Sequence, residues 1–195
     1  MGKLSLKDFF ETELRAGQTQ NNAAYKILHY HLGKHIHQML EPKSITEIGC
    51  GPGAMMEYFL RNTDVQYVGI DINPYSRDYF IERNPGNANN YALVDAMEYG
   101  FHSEGDVVVS IETFEHIEDH ILEHILPKMA RSYKWFYFSS TPFATNPEQD
   151  IAWGHINLKA DHQWVKLFRR HGWVFEAWLN TPTEWSMLFK STLNI

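Results

Sequence analysis

The sequence predicts an α/β protein: a doubly wound, seven-stranded sheet, mostly parallel with an antiparallel last strand, preceded by N-terminal helices. Three observations carry that prediction. From Lys43 onward, apolar runs of strand length alternate with segments of helical spacing over short connections, the pattern of a parallel sheet covered on both faces. The first run, Ile45-Thr46-Glu47-Ile48, enters Gly49-Cys50-Gly51-Pro52-Gly53, three glycines at alternate positions followed at once by an apolar helix. The chain closes on two further runs, 173–180 and 184–192, joined only by Thr181-Pro182-Thr183. So short a link makes them antiparallel, because a parallel crossover needs about a dozen residues.

In order, Leu6, Phe9, Phe10 and Leu14 recur at helical spacing until Gly17, and a second helix starts at Asn21 or Asn22 and stops at Pro42. Residues 1–42 are thus an N-terminal helical extension, a lid or a packing addition, and 43–195 the main domain. Strands are expected over 44–50, 66–72, 90–95, 106–111 and 134–141, and helices over 54–61, 75–82, 118–131 and 160–171. Residues 96–105 hold at most a short helical turn. The stretch 142–159 lacks a pattern, and so long an unpatterned segment in a compact domain is usually functional.

Composition narrows the function. With 195 residues and 44% hydrophobic content, one domain with a sizeable core is expected. A net charge of −7 and the lack of any Lys/Arg-rich run speak against a general nucleic-acid surface. The single cysteine, Cys50, excludes an intrachain disulfide and a four-cysteine zinc site, in keeping with a reducing compartment, by default the cytoplasm. The charged start is not the pattern of a signal peptide, and no window is apolar enough for a membrane span.

Glycines at the end of a strand let the backbone approach a ligand closely, and the helix that follows offers unpaired N–H groups. Gly49-x-Gly51-x-x-Ala54 with Asp71 further on also satisfies a dinucleotide fingerprint, and a ligand-free tight turn is the plainer alternative. Glu47-x-Gly49-x-Gly51-x-Gly53 resembles the signature of class I S-adenosylmethionine-dependent methyltransferases. Gly69-Ile70-Asp71-Ile72 resembles that family's second element and Val94-Asp95-Ala96 its third. The resemblance covers roughly 43–195. It implies the strand order 3-2-1-4-5-7-6, S-adenosylmethionine as cofactor, and Glu47, Gly49, Gly51, Gly53, Asp71, Ile72, Asp95, Ala96 and Ile111 as cofactor-binding residues. Asp71 would take the ribose hydroxyls, Ile72 the adenine face, and Asp95-Ala96 the adenine edge. The chemistry agrees, since this cofactor carries no phosphate and the loop has no lysine.

After the fourth strand comes Glu112-Thr113-Phe114-Glu115-His116, with Gly154-His155-Ile156-Asn157 in the long unpatterned stretch. Two carboxylates and two imidazoles suit either a divalent metal held by Glu112, Glu115, His116 and His155, or a metal-free site in which His116, His155 and Glu112 are catalytic. The Glu-x-x-Glu-His run resembles ubiquinone-biosynthesis O-methyltransferases and the small-RNA 2′-O-methyltransferases; in the latter an aromatic follows the distant histidine by nine residues, as Trp164 follows His155. The plainer reading makes Glu115 and His116 loop-orienting groups and His155 a substrate contact. His116, His120 and His124, and likewise His31 and His35, share helix faces and read as surface positions. The expected function is methyl transfer from S-adenosylmethionine to a small-molecule acceptor, at oxygen first. Metal-dependent RNA 2′-O-methylation and an inactive cofactor-binding partner subunit are the alternatives.

Overall fold

The computed structural model describes residues 23–102, 104–140, 154–181 and 185–194. Helix α1 (Ala23–Leu40) precedes β1 (Ser44–Ile48), α2 (Ala54–Asn62), β2 (Gln66–Asp71), α3 (Pro74–Arg83) and β3 (Tyr91–Leu93). Next come α4 (Ala96–Tyr99), β4 (Gly105–Ile111), α5 (Asp119–Ser132), β5 (Tyr133–Ser139), α6 (Asp161–Arg170), β6 (Trp173–Trp178) and β7 (Met187–Ser191). The seven strands form one sheet in the order β3-β2-β1-β4-β5-β7-β6. β1, β2, β3, β4 and β5 pair in parallel, and β7 runs antiparallel to both β5 and β6. Fold class, strand order and closing hairpin agree with the reading of the sequence.

The boundaries differ where local chemistry intervenes. β1 stops at Ile48 rather than Cys50, because Gly49 turns into the left-handed region. β3 shrinks to three residues: Pro85–Asn90 forms a 3₁₀ helix before it, and Asp95 leaves the strand to cap α4 by accepting from the Met97 amide at 2.7 Å. The first N-terminal helix of the sequence reading and most of the stretch 142–159 lie outside the described residues.

Alternation within β4 explains the two cores. Val107 and Val109 point to one face and Val108 to the other, so the strand reads as a continuous apolar run. One face packs Phe136, Phe138 and Phe114 against Trp164 and Phe168 of α6 and Leu122 to Met129 of α5. The other packs Ile45, Tyr67 and Tyr137 under α1, α2 and α3. Gly33 of α1 allows close approach to α2, since a Cβ there would lie 2.7 Å from the Tyr58 ring. Each fully buried large side chain of this kind contributes about 1.5–3 kcal/mol of transfer free energy. The candidate site residues stand on the C-terminal edge of this packed sheet. No described helix is long and apolar enough to cross a membrane.

Candidate active site

A cavity of about 600 Å³ opens at the C-terminal ends of β1, β2, β3 and β4. Gly49 and Gly51 line it with φ of 72° and 50°, backbone that favours glycine. At Gly49 the space is also closed, because an added Cβ would come within 2.2 Å of Thr113 Oγ1. Gly53 lies off the cavity wall. It caps α2 in a left-handed conformation, and a Cβ there would strike Phe80 at 2.5 Å.

Asp71, Ile72, Asp95, Ala96 and Ile111, the residues that the sequence assigns to the cofactor, all line the cavity. Asp71 is fixed by two backbone donors, Gly51 N to Oδ2 and Asn73 N to Oδ1, both at 2.8 Å. Burial pushes its carboxyl up, and those amide hydrogen bonds work against the shift. One carboxylate thus ties the glycine turn of β1 to the loop after β2. Tyr91 adds a second tie by donating to Gly51 O at 2.9 Å.

Glu47 sits elsewhere. It is 2% exposed, does not line the cavity, and accepts from Tyr67 Oη at 2.6 Å. Burial raises its pKa to about 8, the Tyr67 hydrogen bond opposes this, and Asp71 adds to it. Burial thus favours the protonated form of Glu47. Its contribution is to brace strand and turn from beneath, not to place a negative charge beside a cationic ligand. Cys50 is buried too, and burial pushes its thiol well up, so it fills space.

The acidic loop after β4 forms the opposite wall. Glu112 lines the cavity at φ 47°, a left-handed conformation uncommon for a side chain of this size. Its Oε1 accepts from Ser139 Oγ at 2.7 Å and from Trp185 Nε1 at 3.0 Å. His116 also lines the cavity, and its Nδ1 lies 3.2 Å from Gly154 O. A carbonyl only accepts, so Nδ1 carries the proton and Nε2 is the lone-pair nitrogen. Burial lowers the His116 pKa, as does the neighbouring His155, whose ring centroid is 4.9 Å away. His155 does not line the cavity, and its ring meets that of His116 edge to face.

Glu115 is fully buried beneath these rings. Its Oε2 accepts from Ser140 Oγ at 3.0 Å, while Oε1 has no hydrogen-bond partner. Burial, then the charge of Glu112, raise its pKa to about 8. Ligand atoms of Glu115, His116 and His155 lie within 4.8 Å of one another. An orphaned buried carboxylate oxygen beside two imidazoles fits a divalent ion, provided Glu115 gives up its proton. Glu112 is not a member of that group; Ser139 and Trp185 hold it toward the cavity instead. Among the described residues neither His120 and His124 nor His31 and His35 join a metal-ligating group. Trp164 is core, fully buried against Phe168 and Phe138.

The two site loops are stitched together. Amides of Ile156 and Asn157 both donate to Glu115 O at 2.9 Å. Asn157 Nδ2 donates to Ile117 O at 2.7 Å and to Asp119 Oδ1 at 3.1 Å, and Lys159 pairs with Asp119 at 2.7 Å. Ser139, Trp185, Tyr67 and Thr113 escaped the sequence reading. Only Tyr67 had a usable signal, a hydroxyl one strand from a buried acid with its partner Ile45 two residues from Glu47.

Residues 45–135 match the family model of a methyltransferase domain. This stretch is thus similar to a methyltransferase domain, and the strand order agrees with the class I methyltransferase fold. The cofactor of that domain is S-adenosylmethionine. Among solved structures, this methyltransferase fold is similar to the mitomycin 7-O-methyltransferase MmcR (15% identity, TM-score 0.68), with 97% of this chain and 61% of that chain covered. It is also similar to DesVI of Streptomyces venezuelae (12% identity, TM-score 0.70, 98% and 100% covered). A third is the Haemonchus contortus phosphoethanolamine N-methyltransferase 2, solved with phosphomonomethylethanolamine and S-adenosylhomocysteine (19% identity, TM-score 0.63, 89% and 46% covered). The chain thus spans about three fifths of the mitomycin enzyme and under half of the Haemonchus one.

Proposed function

We propose that the protein transfers a methyl group from S-adenosylmethionine to the hydroxyl of a small-molecule acceptor, with His116 as general base. The observation that carries this reading is the His116 tautomer: Nδ1 is tied to Gly154 O, so Nε2 is the basic nitrogen on a ring that lines the cavity and that burial keeps neutral. S-adenosylmethionine supplies an electrophilic methyl on a sulfonium. His116 Nε2 would take the acceptor's O–H proton as the oxygen bonds to the methyl carbon and the carbon–sulfur bond breaks, its electron pair leaving on the sulfur of S-adenosylhomocysteine. His155 backs the His116 ring, and Glu112 faces the cavity from the same loop. Gly49, Gly51, Asp71, Ile72, Asp95, Ala96 and Ile111 line the cavity that would take the cofactor, with Glu47 and Gly53 shaping the turn from behind. Leu28 and His29 of α1 also line the cavity, which supports a lid role for residues 1–42.

A second reading has the unpartnered Oε1 of Glu115 in its favour. Glu115, His116 and His155 would hold a divalent ion that lowers the acceptor's pKa. RNA as the acceptor has less support, since no lysine or arginine lines the cavity among the described residues and the net charge is −7.

The test is release of S-adenosylhomocysteine over a panel of hydroxylated small molecules, with and without chelator. A chelator-insensitive rate that falls at least 100-fold in His116→Ala supports the base. Loss on chelation with recovery on Mn²⁺ transfers the support to the metal. Turnover with no acceptor in the panel, against tight cofactor binding, would favour the inactive partner subunit.

A further inference from the structure

Glu112 is held more tightly than a solvent-facing acid at a loop start needs to be. Its backbone is left-handed, its Oε1 takes hydrogen bonds from two other segments, Ser139 at the end of β5 and Trp185 just before β7, and its side chain still lines the cavity. A strained residue kept in place by converging partners is a common sign of a functional demand. Register tells what it faces. Ile48 pairs with Ser110, so the glycine turn and the Ile111-Glu112 step leave the sheet side by side, with Thr113 packed on Gly49.

Asp95 follows β3, Asp71 ends β2, and the glycine turn follows β1. A nucleoside laid along that edge, adenine over β3 and ribose over β2, brings its sulfur end to the border of β1 and β4, where Glu112 stands. Methyl transfer turns the sulfonium into a neutral thioether, so one positive charge disappears there. No lysine or arginine lines the cavity among the described residues.

We propose that Glu112, positioned by Ser139 and Trp185, recognises the positive charge at the cofactor's sulfur and so favours the methyl donor over the spent, neutral product. This rests on the cofactor site but not on the acceptor or on either proton-transfer reading. It assigns Ser139 and Trp185 as positioning residues and gives the site a reason to release its product once transfer is complete.

Calorimetric titration with S-adenosylmethionine, S-adenosylhomocysteine and sinefungin, whose ammonium replaces the methylsulfonium, tests it without any acceptor. In Glu112→Gln the two cationic ligands lose about tenfold in affinity, equivalent to about 1.4 kcal/mol for one lost charge contact, while S-adenosylhomocysteine changes by less than about twofold. Trp185→Phe and Ser139→Ala each give about a threefold loss with the same selectivity for the cationic ligands. Asp95→Asn weakens all three ligands alike and serves as control. Equal losses for cationic and neutral ligands in Glu112→Gln, or no loss, would overturn the proposal and leave the cofactor site standing. Failure of the unaltered protein to bind any of the three would remove the cofactor site and this proposal together.

Discussion

Glu47 makes the sharpest prediction, because its chemistry lies in stability rather than turnover. A carboxyl with a pKa of about 8 when folded, against 4.5 ordinarily, holds its proton more firmly in the native state. The associated stability is fully present below pH 4.5 and drains away as pH rises through about 8, since the unfolded chain releases the proton first. Between pH 5 and pH 7 the loss amounts to about 2.5 kcal/mol. Glu47→Gln keeps the volume and an oxygen for Tyr67 but has no proton to lose. Urea unfolding followed by tryptophan fluorescence at the two pH values would show the variant gaining about 2.5 kcal/mol on the parent between pH 5 and pH 7. For a domain of this size that is about 5–10 °C in Tm. Glu115 and His29 titrate in the same range, raised to about 8 and lowered to about 4 by burial, but they do so in both proteins and cancel in the difference. If the two stabilities change in parallel across that range, Glu47 is not a buried neutral acid and the account of the turn is wrong.

Gly49→Ala places a Cβ against Thr113 in a left-handed backbone; calorimetry should find S-adenosylhomocysteine affinity reduced at least tenfold, and thermal unfolding a loss of at least about 1–2 kcal/mol from backbone strain alone. Asp71→Asn removes the charged acceptor shared by Gly51 N and Asn73 N, and the same titration should show at least a 30-fold loss for any nucleoside ligand. Asn157→Ala leaves Ile117 O without its side-chain donor and Asp119 with Lys159 alone, at about 1–3 kcal/mol. Hydrogen exchange at the amides of Ile156 and Asn157, which bond to Glu115 O, should then accelerate at least tenfold while β4 and β5 stay protected; unchanged exchange would show that the two loops hold without this clasp.

The sheet was legible because its signals are local. Alternating valines of β4, glycines after β1 and the three-residue link near the end each act within a few residues, and together they give the class and the antiparallel close. Asp71 and Asp95 were legible for a related reason, as acids at strand ends must stand on the cavity edge of such a sheet. Charge state was not legible. Glu47 and Glu112 are both acids beside glycine or strand-end backbone, yet one is roofed over by packing that pushes its pKa up, and the other faces the cavity and accepts from two donors. Burial sets that difference, and burial belongs to the assembled molecule. Nor was it legible that Glu112, close enough to act on Glu115 and His116, lies outside the group formed by Glu115, His116 and His155, with its Oε1 taken up by Ser139 and Trp185.

The antiparallel close has a consequence for the chemistry that its sequence signal does not announce. Parallel strands all end at the cavity edge, so a parallel β7 would begin at the opposite edge of the sheet. Because β7 is reversed, Met187 at its start lies opposite Phe138 near the end of β5, and the connection from β6 arrives beside the site. The Leu179 N to Ser186 O bond at 2.9 Å pins that connection, and Trp185 is its next residue. Its indole then crosses β5 to reach the acid at the end of β4, 73 residues away in sequence. The hairpin is therefore both the cap of the sheet and the source of a donor to Glu112, so the fold's least regular feature in topology is the one that completes the Glu112 wall of the cavity.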